Sequence, residues 1–287
     1  MGGGSWSKSA YVNYSTTMCR AVDMDGAIKG EYSAQEMFKS RRLNEALNPY
    51  NVIRECVDSD EHPNTIPVIL ALDVTGSMGS SAVEIAKKLN VIMTKLYASV
   101  KDIEFMIMAI GDFSYDNYPL QVSQFESDIR IAEQLDKVYF EAGGGGNSYE
   151  SYTAAWLFGA RHTKLDCWKR GKKGLIITIG DELINPYIPA DAMNHVICEG
   201  HQADIETSTI YEEVKDKYDL YHLNCISTPS GRRGEKTNVD SFAKYIGKQN
   251  VMNVTVEEIT DKIVGIITDF SKNNNESVIS DSDAISW

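Results

Sequence analysis

The chain has 287 residues and sets 28 Lys and Arg against 41 Asp and Glu, a formal charge of −13. With 43% hydrophobic and 24% charged residues it can bury a core of its own, which excludes global disorder. The acidic balance excludes general nucleic-acid binding, which needs clustered Lys and Arg to neutralise phosphates, and suits a divalent cation or a basic partner.

No apolar stretch approaches the roughly 20 residues that span a bilayer, so no membrane segment is expected. The start, Met-Gly-Gly-Gly-Ser-Trp, has neither a basic nor an apolar leader region, and Trp6 stands where a myristoylation signal has Ser or Thr. Five cysteines, an odd number without CxxC spacing, indicate reduced thiols and a cytoplasmic protein.

Residues 1–63 lack a sustained helical or strand period and read as an irregular N-terminal arm, with one short helix within 33–47. Trp6, Tyr11 and Tyr14 are expected to anchor it. Residues 66–73, Ile-Pro-Val-Ile-Leu-Ala-Leu-Asp, are the pattern of a strand buried on both faces of a parallel sheet. A turn at 75–77 leads into a helix over 78–100, where Val83, Ala86, Leu89, Ile92, Leu96 and Val100 are helically spaced. The alternation continues with a strand at 103–110, a short edge strand at 120–125 and a helix at 127–137. A glycine run at 143–146 opens a helix over 148–163, and a buried strand follows at 175–179. Weakly helical stretches at 190–198 and 208–218 precede a strand at 220–226, a helix at 239–246, a strand at 251–254 and a closing helix at 257–270. This order predicts an α/β, Rossmann-like doubly wound fold: a mostly parallel central sheet with one antiparallel edge strand and helices on both faces. The expected boundaries are the arm at 1–63, packed on a sheet domain at 64–272, and a flexible tail at 273–287.

In such a sheet the ligand site lies outside the carboxyl ends of the strands. Three strands end in Asp, which brings Asp73, Asp112 and Asp181 to one edge. Asp73 is followed by the hydroxyls of Thr75 and Ser77, so oxygen ligands converge as a hard cation such as Mg²⁺ requires.

Asp73-Val-Thr75-Gly-Ser77, at the end of a buried strand, resembles the Asp-x-Ser/Thr-x-Ser signature of the von Willebrand factor A domain, the fold of integrin I domains, and its metal-ion-dependent adhesion site. A Gly-rich loop and a later strand ending in Asp stand in the expected order, and the resemblance covers residues 64–272. It implies that Asp73, Thr75, Ser77 and Asp181 hold Mg²⁺, or Mn²⁺ or Ca²⁺. It also implies that a protein partner completes the coordination with an Asp or Glu and that binding can shift the last helix. The family has a Thr in the loop before its third helix. Here that loop is Gly143-Gly-Gly-Gly-Asn147-Ser-Tyr-Glu150-Ser151, and Asn147, Ser148, Glu150 and Ser151 are the possible substitutes. Asn147 and Glu150 are expected near the metal, at least one through water. The other reading, that Asn147 and Ser148 cap the helix and Glu150 sits in its first turn, stays open.

Asp112 and Asp116 are either acceptors beside the metal or plain turn residues. His222 and Cys225, three apart on one strand, point to opposite faces and do not make a zinc site with Cys198 and His201. Arg232 and Arg233 border the metal face, either to meet an acidic partner or as a flexible loop. The composite reading is a divalent-cation-dependent protein-interaction module without catalysis, nucleic acid or membrane. Its alternatives are a metal-dependent phosphoesterase or phosphotransferase, and a scaffold subunit of a phage or ATPase-associated assembly. A P-loop and a nucleophile elbow are both missing from the sequence.

Overall fold

The computed structural model describes residues 4–141, 143 and 147–276. Six strands build the central sheet: β1 (Ile66–Asp73), β2 (Ile103–Ile110), β3 (Leu120–Val122), β4 (Gly174–Gly180), β5 (Tyr218–Cys225) and β6 (Val251–Val254). Their order across the sheet is β6-β5-β4-β1-β2-β3. Every neighbouring pair is parallel except the edge pair, where Met108 faces Val122 in antiparallel register. The α/β doubly wound fold expected from the alternation is the one observed.

The hydrophobic runs explain why both faces are covered. Along β1, Val68, Leu70 and Leu72 face one core while Ile69 and Ala71 face the other, the period-2 alternation of a strand. Among the helices are α1 (Lys8–Thr17), α2 (Gly79–Lys87), α3 (Leu89–Tyr97), α4 (Thr153–Arg161), α5 (Pro229–Arg233), α6 (Glu235–Ile246) and α7 (Ile259–Glu276). Residues of α2, α3 and α7 fill the first core and residues of α4 and α6 the second. His222 and Cys225 do fall on opposite faces: His222 stacks on Phe242 with ring centroids 3.5 Å apart, while Cys225 packs in the other core. All five cysteines are free. No helix among the described residues is long and apolar enough to cross a membrane.

The helix expected over 78–100 is two helices, α2 and α3, that meet at Lys88, and three further differences bear on the arm, the site and the tail. The first is α1, which lies in the arm without an apolar stripe; it buries only Tyr11 and Ser15, so helical periodicity could not reveal it. Trp6 donates Nε1–H to Asn90 Oδ1 at 3.1 Å in a buried contact, and Arg20 grips Asp136 through Nη1 at 2.7 and 2.9 Å. The second is the helix expected at 148–163, which is only Thr153–Arg161. Tyr149–Glu150 instead pairs in parallel with Leu183–Ile184, and Thr163–Leu165 pairs with Arg54–Cys56. The third is the closing helix, which continues through Asn273 and Asn274 to Glu276, past the start expected for the tail. Residues 277–287 lie outside the described residues.

Candidate functional site

Strand order reverses between β1 and β4, so the crevice at their carboxyl ends is the switch point of the sheet. Leu72 pairs with Ile179, which sets Asp73 and Asp181 side by side just beyond the paired segment. Both are fully buried. Asp73 Oδ1 accepts from the Thr75 amide at 2.9 Å and from Thr75 Oγ1 at 2.7 Å, the local turn that a short carboxylate side chain favours. Thr75 Oγ1 lies 3.4 Å from Ser77 Oγ. Ser77 in turn donates to Asp181 Oδ1 at 2.8 Å. The four residues of the Asp-x-Thr-x-Ser motif and the later Asp thus form one chain of oxygens. Ser77 is exposed while Asp73, Thr75 and Asp181 are buried, so the chain opens to solvent at Ser77.

Two residues that the sequence reading missed complete this chain. Tyr152 donates its hydroxyl to Asp73 Oδ2 at 2.7 Å, and Thr228 donates Oγ1–H to Asp181 Oδ2 at 2.6 Å. Thr228 carried a usable signal, because Thr followed by Pro229 just after a strand is a helix N-cap with Pro at the first turn, placed at the same sheet edge. Tyr152 carried none.

The electrostatics follow from burying like charges together. Burial, then the neighbouring Asp181 charge, pushes the Asp73 carboxyl up to about 7, against the lowering effect of the Thr75 and Tyr152 hydrogen bonds. Asp181 is also raised, chiefly by burial, with the Thr228 and Ser77 hydrogen bonds and the Arg233 charge opposing.

Glu150 is 6% exposed, and its Oε2 is buried without a hydrogen-bond partner. Burial, then Asp73, Asp116, Asp112 and Glu182, push its carboxyl up to about 11. Asn147 is exposed and donates Nδ2–H to Asp112 Oδ2 at 2.8 Å, while its Oδ1 accepts from the Tyr149 amide at 3.0 Å. The capping alternative is overturned: α4 starts at Thr153 with no side-chain cap, and Glu150 belongs to the short strand before it. Asp112 and Asp116 are turn residues, since Asp112 Oδ1 accepts from the Ser114 amide and Asp116 Oδ2 from the Asp112 amide. Asp112 is also an acceptor for the loop that carries Asn147. Arg232 and Arg233 end the short helix α5, which replaces the flexible-loop reading.

Among the described residues no group of three or more His, Cys, Asp or Glu is arranged to hold a metal ion. The chain above has two carboxylates and depends on hydroxyls for the rest. Its chemistry fits a hard cation: two buried like charges share a cradle of neutral oxygens, and each resists ionising without a counter-charge.

No protein-family model matches the chain, and no curated protein matches it. Solved structures do. The open conformation of the pilus adhesin SpaC from Lactobacillus rhamnosus GG matches with a TM-score of 0.51 at 11% identity, over 78% of this chain and 31% of that one. The vWF domain of the type V pili tip protein Mfa5 from Porphyromonas gingivalis gives 0.45 at 11% identity, over 73% of this chain and 96% of that one. The PilB minor pilin from Streptococcus sanguinis gives 0.48 at 10% identity, over 73% and 62%. At such identities the likeness to the adhesin is one of fold, and this chain spans about a third of that protein's length.

Proposed function

We propose that the chain is a von Willebrand factor A-type interaction module whose site takes a divalent cation, Mg²⁺ or Mn²⁺ before Ca²⁺. The observation that carries this reading is the continuous oxygen chain of Asp73, Thr75, Ser77 and Asp181 at the switch point of the sheet. Asp73 and Asp181 would hold the ion with the two hydroxyls, and Glu150 would stand beside it through water. Asn147 would act from further out, because Asp112 holds its amide. Bound there, the cation would supply a hard positive centre for an Asp or Glu of a protein partner.

The chain's own residues prepare that role. Thr75 and Tyr152 fix both oxygens of Asp73, and exposed Ser77 leaves the approach open. The free cysteines support a reducing compartment and with it the cytoplasmic expectation. The sheet domain at 64–272 with the arm packed on it remains our proposed organisation.

The test is titration calorimetry of the full chain with MgCl₂ and MnCl₂, followed by capture of partners from lysate with and without EDTA. Saturable uptake of one ion and an EDTA-sensitive partner are the expected results. Absence of uptake overturns the reading.

A further inference from the structure

We infer that Thr228 is a positioning residue of the cation site, tying Asp181 to the helix after β5; this rests on the cation reading above. The Asp181 carboxylate has two oxygens, and each receives one hydroxyl. Oδ1 accepts from Ser77 at 2.8 Å and Oδ2 from Thr228 at 2.6 Å. Thr228 has a single hydroxyl proton, and its other acceptor in reach, the Cys225 carbonyl, is further away at 3.3 Å. The shorter bond to a carboxylate holds the proton, because charge-assisted hydrogen bonds are the stronger ones.

The same hydroxyl works in the opposite direction as well. Thr228 Oγ1 accepts from the Gly231 amide at 2.9 Å and so caps α5. That helix has no room to retreat, since a Cβ at Gly231 would collide with the Cys225 carbonyl at the end of β5. Asn238 of α6 adds a third restraint through its Nδ2–H bond to the Asp181 main-chain oxygen at 2.7 Å.

Ser77 is exposed and its hydroxyl is needed as a ligand, whereas Thr228 is buried and grips the far oxygen. Thr228 therefore keeps the carboxylate in one orientation whichever partner Oδ1 has. Groups that orient a metal ligand in this way typically change affinity about 10- to 100-fold when removed. The helix so anchored also carries Arg232 and Arg233, both exposed.

The experiment titrates MgCl₂ into the full chain by calorimetry for wild type, Thr228→Val and Thr228→Ser. Val keeps the shape and removes the hydroxyl, so affinity is expected to fall about 10- to 100-fold, while Ser should restore it. A merely structural cap would lower the melting temperature in EDTA without moving Mg²⁺ affinity. Should the Val variant fail to fold, amide exchange of wild type decides: protection at Gly231 should rise on adding Mg²⁺. Unchanged affinity in Thr228→Val, or unchanged exchange at Gly231, overturns the role of Thr228 alone. Wild type that takes up no Mg²⁺ overturns the cation reading and this inference together.

Discussion

The Tyr152 hydroxyl reaches Asp73 Oδ2 at 2.7 Å by crossing the end of β4, where only a glycine leaves the space. A Cβ at Gly180 would collide with that hydroxyl. The carboxyl end of one strand is thus shaped to let a residue from the loop before α4 support the acid at the end of its neighbour.

Tyr152→Phe keeps the packing against His222 and Phe242 but leaves a buried carboxylate oxygen without its donor. Hydrogen bonds to charged groups contribute about 1.5–3 kcal/mol, and a loss of that order is expected in urea denaturation in EDTA at pH 8. Gly180→Ala should cost a similar amount through overpacking, roughly 1–3 kcal/mol. A denaturation midpoint unmoved in Tyr152→Phe would show that the bond contributes nothing to stability.

Glu150 supplies a prediction with a worked sign. Its carboxyl is pushed from 4.5 up to about 11 in the fold, so the folded chain holds a proton that the unfolded chain gives up. The associated stability is fully present below pH 4.5 and falls steadily as the pH rises towards 11. Glu150→Gln removes that dependence. The variant should match wild type near pH 4 and exceed it at pH 8, with Mg²⁺ affinity equal or tighter. Weaker Mg²⁺ binding would instead mean that Glu150 bonds the ion directly, because a charged ligand would have been exchanged for a weaker neutral one.

The arm yields a third prediction. Trp6, Tyr11, Met37 and Phe38 are all buried in the core that includes α2 and α3, and Tyr14 donates to Asp136 at 2.8 Å. Trp6→Ala removes both a large buried ring and its bond to Asn90, and should lower stability by about 3 kcal/mol. Limited proteolysis that trims the arm and leaves the melting temperature in place would reduce it to a linker.

What could be read in the sequence was whatever depends on period and punctuation. Residues 66–73 and 103–110 are continuous apolar runs, and both strands fall at those bounds. Asp73, Thr75 and Ser77 were legible because a carboxylate at a strand end followed by alternating hydroxyls needs no tertiary information; Asp181 joined them only through the expected sheet order and the family resemblance. What escaped needs it. The pairing of Tyr149 with Leu183 joins segments remote in sequence and shortens a helix that local propensity alone would begin earlier. The reach of Tyr152 to Asp73 depends on Gly180 in a neighbouring strand. Helix α1 is polar on most sides and is held through its own Tyr14, which bonds Asp136, and through its flanking residues Trp6 and Arg20, which bond Asn90 and Asp136. Thr228 lay in between: its capping signature was visible, but its bond to Asp181 depends on β4 and β5 being neighbours.

Asp73→Asn separates the two consequences of a buried acid in the proposed cation site. Without the ion, the Asp73 carboxyl sits up to about 7 because of burial and the Asp181 charge. A group raised in the fold contributes stability below its unfolded value of 3.8 and loses it as the pH rises through 7, so at pH 8 the ionised acid strains the apo chain. Asn keeps an oxygen for the Thr75 donors and carries no charge, so the apo variant should melt higher than wild type in EDTA at pH 8. With Mg²⁺ the order should invert. Wild type gains stability as the logarithm of ion concentration, about 2.7 kcal/mol at a hundredfold excess over Kd, and the variant, missing one of two carboxylates, should gain far less. Melting curves of both proteins in EDTA and across a Mg²⁺ series read the two effects separately. A Mg²⁺-induced rise in Asp73→Asn equal to that of wild type would remove Asp73 from the site.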